Sequence, residues 1–217
     1  MIVVLVRNYL RFFMSNIIIS IHIPKTGGTS FRTILSNVYR KKLWSNYERQ
    51  WSKHDVHQVQ IPSNVRCIHG HFEYDSFDEI YSENYKITWM RDPADRTVSL
   101  YNHIIDKPDP NNKVTLEVIE KQLSLEQFID LPWVRNQGMN YLKSSSPYNF
   151  KFIGFVETYQ QSLEKCAEIL RWKSIPEMVW ENKKNEVSSN LHESLRKKIY
   201  KLNENEYDWI STAKSIF

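Results

Sequence analysis

An apolar, β-branched run that leads directly into a glycine loop is the feature that most constrains the fold of this chain. Residues 17–23 read I-I-I-S-I-H-I, residues 24–29 read P-K-T-G-G-T, and residues 30–39 are compatible with a helix. A continuous apolar strand is typical of the middle of a parallel sheet covered on both faces. A glycine loop that opens a helix leaves backbone N–H groups free to hold an anion. The pattern predicts a strand, a phosphate-holding loop and a helix, with the Lys25 ammonium at the mouth of the loop.

The length of the chain predicts one domain. Its 217 residues are enough for one well-buried α/β domain, which we expect over residues 17–217, preceded by an N-terminal extension over residues 1–16. The apolar start of the chain is cut by Arg7 and Arg11, and it is far short of the roughly 20 residues of a membrane-spanning helix. We therefore expect no integral membrane segment and a soluble, cytoplasmic protein.

Charge and cysteine content exclude several other classes. The formal net charge of +4 is mild, and the chain has no dense block of Lys and Arg. Such a charge suits one site for an anionic ligand better than a surface that coats nucleic acid, so no nucleic-acid partner is expected. Cys67 and Cys166 stand apart, and no Cys/His cluster has zinc spacing. The sequence therefore predicts no disulfide framework, no metal site and a reducing compartment.

A pair of histidines follows the next apolar run. Residues 65–68 predict a short strand that leads into His69-Gly70-His71. Residues two apart in an extended backbone face the same side, so both imidazoles can serve one site, while Gly70 permits close approach of another backbone. Imidazole titrates near neutral pH and suits a general base. A structural role or a metal pair is the alternative, although no third ligand at convincing spacing follows.

A third strand, over residues 85–90, leads into a second motif, R-D-P-A-D-R-T-V-S, over residues 91–99. The proline suits the first turn of a helix. Arg91 at the strand end and Ser99 about two turns into that helix could grip one anion from two sides. Alternatively, Arg91 forms a salt-bridged helix cap with Asp92 or Asp95, and Ser99 is a helix-surface serine.

The remaining patterns are weaker. They predict a short helix over residues 76–81, a loop over 106–112, helices over 124–129 and 134–142, a strand over 151–157, a helix over 161–172 and a mostly helical end over 191–217. The aromatic-dotted segment 44–60 has no clear periodicity. Its Trp and Tyr residues suit either sugar contacts or core packing.

The order of these motifs resembles the sulfotransferases. In nucleotide triphosphatase loops the lysine follows the glycines, whereas here Lys25 precedes them. The string H-x-P-K-T-x-x-T-S resembles the 5′-phosphosulfate loop of carbohydrate sulfotransferases, and the R-D-P-x-x-R-x-x-S string resembles their 3′-phosphate clamp. With H-G-H between the two, the layout is most similar to the heparan sulfate and uronyl 2-O-sulfotransferases.

This resemblance implies a three-layer α/β/α fold with a central parallel sheet, related to the P-loop NTPases. It implies in-line transfer of a sulfuryl group from 3′-phosphoadenosine 5′-phosphosulfate (PAPS) to a hydroxyl of a carbohydrate or glycoconjugate, without a metal. The donor-binding residues that it implies are Pro24, Lys25, Thr26, Gly27, Gly28, Thr29, Ser30, Arg91, Ser99 and Lys183. Lys183 belongs to a charge run, residues 181–185, that is equally typical of a solvated surface.

The resemblance also assigns catalytic roles. His71 is expected to be the general base, with His69 as its orienting partner or substitute, and Glu73 is a second candidate base. Lys25 is expected to bind the oxygen on which charge develops. Arg96 either joins the clamp or braces the loop through Asp92.

Two other function classes remain open on the sequence alone. One is a nucleotide kinase-like or triphosphatase P-loop protein that binds ATP with Mg²⁺, and the other is a nucleotide-binding module without catalysis. No motif specifies the acceptor or the oligomeric state.

Overall fold

A central parallel sheet carries the chain. The computed structural model describes residues 17–176 and 191–217. Its five strands lie in the order β2-β3-β1-β4-β5, and all the pairs are parallel. The strands are β1 (Ile17–Ile21), β2 (Leu43–Trp51), β3 (Cys67–Phe72), β4 (Asn84–Met90) and β5 (Phe152–Phe155).

Helices connect the strands and form the C-terminal end of the chain. Those in the described ranges are α1 (Gly28–Tyr39), α2 (Lys53–Val56), α3 (Pro93–Asp106), α4 (Lys113–Glu120), α5 (Leu125–Phe128), α6 (Gln137–Leu142), α7 (Tyr159–Ile169), α8 (Glu193–Leu202) and α9 (Glu204–Lys214). The predicted α/β fold, with a central parallel sheet flanked by helices, is confirmed.

The apolar sequence of β1 is explained by its central position. All five residues of β1 are buried. Ile17, Ile19 and Ile21 pack in the core on one face of the sheet, and Ile18 packs in the core on the other. Because both faces are covered, the strand is apolar at nearly every position instead of alternating between apolar and polar residues.

Parallel pairing brings the sequence motifs to one edge of the sheet. Ile21, at the end of β1, lies beside Gly70 of β3 and Thr88 of β4. Therefore the glycine loop after β1, the H-G-H segment and the R-D-P segment after β4 all lie at the carboxyl edge. Strands β2 and β3 lie on one side of β1, and β4 and β5 lie on the other. Open α/β sheets bind their ligands at the carboxyl edge where the chain changes side in this way.

Several predicted elements differ from the structure. Residues 43–51 form the edge strand β2, which the weak pattern of segment 44–60 did not predict, because an edge strand needs less apolar sequence. The strand predicted over residues 65–68 begins at Cys67 and continues through H-G-H to Phe72.

Other boundaries are also corrected. Residues 74–80 form consecutive turns, so the helix predicted over residues 76–81 is wrong; the segment is held by the hydrogen bond from Ser76 to the Trp51 carbonyl and by buried Phe77. The helix predicted over residues 134–142 begins only at Gln137, and the strand predicted over 151–157 is limited to Phe152–Phe155. The predicted extension over residues 1–16 lies outside the described residues.

A buried ion pair joins α3 to the C-terminal helix α9. Arg96 donates to Glu206 through Nε at 3.1 Å and Nη2 at 3.0 Å, and its Nη1 donates to Gln137 at 2.7 Å. The two paired side chains are 1% and 0% exposed. Glu206 also accepts the backbone N–H of Gly138 at 3.0 Å. Arg96 is therefore occupied by this pair, and neither of its two expected roles, in the clamp or in a brace through Asp92, is seen.

Replacing Glu206 with alanine should destabilise the fold strongly. The substitution leaves the Arg96 guanidinium buried without its counter-ion, and breaking a buried pair in this way costs about 3–5 kcal/mol. The free energy of unfolding, measured by urea denaturation, checks this value. The control is Glu193→Ala, which removes an exposed ion pair with Lys197 and should change stability little. Similar losses in both variants would contradict the importance of the buried pair.

Candidate active site

The glycine loop presents the start of α1 to the carboxyl edge of the sheet. Gly27 is the N-cap of α1, with φ of 79°. The first N–H groups of a helix have no intrahelical partner, and α1 has neither a side-chain cap nor an acidic residue in its first turn. This arrangement suits an anion, because the positive end of the helix dipole is not neutralised locally.

The loop is held in a defined shape before any ligand arrives. The hydroxyl of Thr26 is buried and donates to the Ile23 carbonyl at 2.8 Å, which ties the loop to the end of the strand. Lys25 has φ of 69°, a left-handed conformation that is uncommon for a residue with a side chain. Backbone strain of this kind persists only where the surrounding structure imposes the conformation, and it is common in ligand-binding loops.

Gly70 allows β2 and β3 to approach each other closely. A Cβ atom at this position would overlap the Asn46 carbonyl oxygen. The side chains of His69 and His71 flank this contact at the end of β3, as the sequence predicted. They differ, however, in burial and in their hydrogen bonds.

His71 has one ring nitrogen fixed and the other without a bond. Its Nδ1 lies 2.9 Å from the carbonyl oxygen of His22. A carbonyl only accepts, so Nδ1 carries the proton and Nε2 carries the lone pair. No described residue forms a hydrogen bond with Nε2, and the side chain is only half-buried. Burial lowers the pKa of His71, and the hydrogen bond that its ring donates to the His22 carbonyl partly offsets this effect. His71 is therefore an uncharged imidazole at neutral pH, and the lone pair on its Nε2 can accept a proton.

His69 has both ring nitrogens occupied. Its Nδ1 lies 2.9 Å from the Ser20 hydroxyl, and its Nε2 accepts a short bond from the Tyr47 hydroxyl. The residue is 1% exposed, and burial lowers its pKa to about 4. Because no nitrogen is free for a substrate, His69 suits an orienting role and not that of the base.

A third histidine joins this pair. His22 is the residue between β1 and the loop, and its imidazole stacks on His71 with ring centroids 4.6 Å apart. The Tyr47 ring lies 5.1 Å from both His22 and His71. Neither His22 nor Tyr47 was predicted as a site residue. His22 could have been suspected from its place within H-x-P-K-T, but Tyr47 lies in the segment without periodicity.

The R-D-P segment divides into structural and site-facing residues. Asp92 caps α3, accepting the N–H groups of Ala94 at 2.9 Å and Asp95 at 3.1 Å. Its carboxylate also accepts from the Tyr207 hydroxyl. The guanidinium of Arg91 instead reaches the loop, 3.5 Å from the Lys25 carbonyl.

Three residues predicted to bind the donor, Arg91, Ser99 and Lys183, lie outside the glycine loop. Among the residues that the structure describes, no carboxylate forms an ion pair with Arg91, so the salt-bridged cap is not seen. Ser99 lies half-buried on α3. Lys183 falls outside the described ranges.

Glu73, the second candidate base, is paired. Its carboxylate lies 2.9 Å from the Lys143 ammonium and 3.3 Å from the Gln50 amide. Glu73 is therefore tied to Lys143 and Gln50, and these contacts compete with a role as base.

Residues 17–176 and 191–217 contain neither a metal-ligand cluster nor a membrane-spanning helix. Within these ranges, no cluster of three or more His, Cys, Asp or Glu side chains is arranged to hold a metal ion. In the same part of the chain no helix has the length and apolar character needed to cross a membrane.

Comparison with known proteins gives one family. The model of the sulfotransferase family matches residues 10–209. The crystal structure of a sulfotransferase from Alicyclobacillus acidocaldarius is similar at a TM-score of 0.50 and 13% identity, covering 94% of this chain and 96% of that one. Mouse sulfotransferase SULT7A1 complexed with PAP aligns at a TM-score of 0.40 and 17% identity, covering 77% of this chain and 64% of that one. No curated protein matches in sequence.

The buried imidazoles make stability depend on pH. The folded-state pKa of His69, about 4, lies below the ordinary value of about 6.5. Between these values the unfolded chain binds more protons, so the free energy of unfolding falls as the pH drops below about 6.5, by up to about 1.4 kcal/mol per pH unit for such a group.

Urea denaturation over this pH range measures the slope. His69→Gln should reduce it, whereas His57→Gln should not, because His57 is exposed and pairs with Glu79 at the surface. An undiminished slope in His69→Gln would show that His69 is not the neutral buried group described here.

Proposed function

Because this chain belongs to the sulfotransferase family, we propose that it uses PAPS as donor and a carbohydrate or glycoconjugate hydroxyl as acceptor, with His71 as general base. The observation that carries the proposal is the free Nε2 of His71 at the same sheet edge as the anion-binding loop. Sulfuryl transfer resembles phosphoryl transfer, in which the group passes in line and negative charge builds on the departing oxygen. The chain must therefore supply a base, donors for that oxygen and a grip on the donor.

The geometry of His71 supports its role as base. With Nδ1–H held by the His22 carbonyl, the lone pair on Nε2 is the only ring site left to accept the acceptor proton. A lowered pKa keeps this nitrogen unprotonated at neutral pH. His69, bonded to Tyr47 and Ser20, orients the strand end in this proposal.

The loop and Arg91 support the donor site. The unneutralised start of α1 fits a 5′-phosphate, and Thr26, Gly27, Gly28, Thr29 and Ser30 would supply the backbone that surrounds it. Arg91 donates one hydrogen bond to the Lys25 carbonyl, which leaves other guanidinium N–H groups for a 3′-phosphate, with Ser99 as a second donor. The donor brings the activated sulfuryl group.

Lys25 is proposed to act on the leaving oxygen. Its ammonium belongs to the same loop, and fixed donors at a developing negative charge contribute about 2.7–4 kcal/mol in related oxyanion sites.

A carbohydrate acceptor is supported by the surroundings of His71. The ring of Tyr47, which is only partly buried, lies 5.1 Å from the His71 ring. Tyrosine rings carry an apolar face and a polar hydroxyl, which suits the mixed surface of a sugar. The Glu73–Lys143 pair and the Gln50 amide add polar groups that could bond to sugar hydroxyls.

Binding of adenosine 3′,5′-bisphosphate tests the donor site. We expect binding, measured by calorimetry, that does not need Mg²⁺ and that exceeds binding of ATP. Arg91→Ala should weaken it by tenfold or more while affecting adenosine 5′-monophosphate little, because only the bisphosphate carries the 3′-phosphate. Arg135→Ala, at an exposed pair with Asp130, is the control. A preference for ATP with Mg²⁺ would favour a nucleotide kinase-like protein instead.

Replacing His71 with glutamine tests the base. A general base contributes about 10²–10⁴-fold to rate, so turnover with a panel of sugar acceptors should fall on that scale. The affinity for adenosine 3′,5′-bisphosphate should stay within about threefold, because His71 does not face the donor phosphates in this proposal. His57→Gln serves as the control for loss of a histidine. Loss of bisphosphate affinity in His71→Gln would place the residue in the donor site.

A further inference from the structure

His22 occupies the junction between the anion-binding loop and the proposed base. Its backbone N–H donates to the Gly70 carbonyl at 2.7 Å, and its own carbonyl accepts from Nδ1 of His71 at 2.9 Å. The main chain of this one residue therefore holds the peptide before His71 and the His71 ring itself.

The side chain of His22 is wedged between His71 and the loop. It is 8% exposed and stacks on the His71 ring at 4.6 Å with 22° between the planes. Its other edge lies against Gly28, where an added Cβ would overlap the His22 imidazole. The ring therefore fills the space that would otherwise let His71 turn or let water reach its face.

Neither ring nitrogen of His22 has a hydrogen-bond partner among the described residues. A buried polar group without a partner destabilises the folded state, which an apolar side chain such as leucine would avoid. This unsatisfied imidazole lies within the site, where such groups are expected to have a functional explanation.

The titratable groups that face His22 are His69 and His71 from β3, Lys25 from the loop and Arg32 from α1, and each opposes a charge on it. The Tyr47 ring from β2 also contacts His22. Burial, followed by His71, His69, Lys25 and Arg32, holds the pKa of His22 well below its ordinary value. His22 is consequently a neutral ring, whose π-face can lie against an imidazolium without repulsion.

We propose that His22 is a positioning residue for His71, which fixes the base through its carbonyl oxygen and through the face of its neutral imidazole. When His71 takes the acceptor proton on Nε2, the cation forms against this uncharged face and keeps its Nδ1–H bond. The inference rests on the proposed function, in which His71 is the base. It adds a role for the histidine that precedes the loop.

Titration of His71 tests the inference without an acceptor. The ring Cε1–H resonance of His71, identified by its absence in His71→Gln, is followed by NMR across pH in the full chain. In His22→Ala, water gains access to the His71 face, so the pKa should rise by roughly half a unit or more because desolvation is relieved. His22→Asn, which leaves a smaller cavity, should shift it in the same direction. His57→Ala is the control and should leave it unchanged.

Binding of adenosine 3′,5′-bisphosphate, measured on the same variants, separates the possible roles. If His22 only positions His71, both His22 variants should bind the bisphosphate within about threefold of the wild-type affinity. Such binding would also show that the variants fold. An unchanged His71 titration in both His22 variants would overturn the inference. A loss of affinity as large as that in Arg91→Ala would also overturn it, since His22 would then belong to the donor site.

Turnover measurements separate a failure of this inference from a failure of the proposed function. If His22 acts through His71, the double variant His22→Ala/His71→Gln should be no slower than His71→Gln alone. If the two substitutions instead reduce turnover independently, so that their fold-losses multiply in the double variant, the positioning role is overturned and the proposed function stays intact. Failure of the wild-type chain to bind the bisphosphate would overturn the donor assignment, while the titration would still decide whether His22 positions His71.

Discussion

Parallel pairing of β1 with β3 on one side and β4 on the other is the constraint on which the site depends. It brings the loop, the H-G-H segment and the R-D-P segment to one edge, although they are far apart in sequence. The register matters as much as the pairing. A slip of one residue would turn His71 to the opposite face of the sheet. The bond from the His22 N–H to the Gly70 carbonyl continues this register beyond the end of β1.

The R-D-P motif shows how one short segment divides its residues between structure and site. Asp92 caps α3 and Arg96 pairs with Glu206 inside the protein. These contacts fix the start of the helix and dock it against α9. Arg91 lies at the strand end, turned toward the loop. Its guanidinium lies 3.5 Å from the Lys25 carbonyl, beside neighbours that these contacts fix.

The pKa values of the histidines in the site are set by burial more than by paired charges. Three imidazoles lie close together beside the cationic residues of the loop and of α1, and burial is the largest cause of the lowered pKa of each. Because the imidazoles are neutral, the positive potential beside the glycine loop comes from Lys25 and the start of α1. The arrangement carries a cost in stability at low pH, where protonation of these rings favours the unfolded chain.

The sequence by itself determined the strand, loop and helix around Lys25, because local apolar patterning and glycine positions decide that structure. It also determined that two histidines share a strand end and that Arg91 follows a strand, since each is a short-range relation. Only the tertiary structure decided which histidine has a free nitrogen, because that depends on His22 and on Tyr47 of the edge strand β2. It alone decided that Arg96 is buried against Glu206. Contacts between residues distant in the chain are set by packing, which local patterns do not encode.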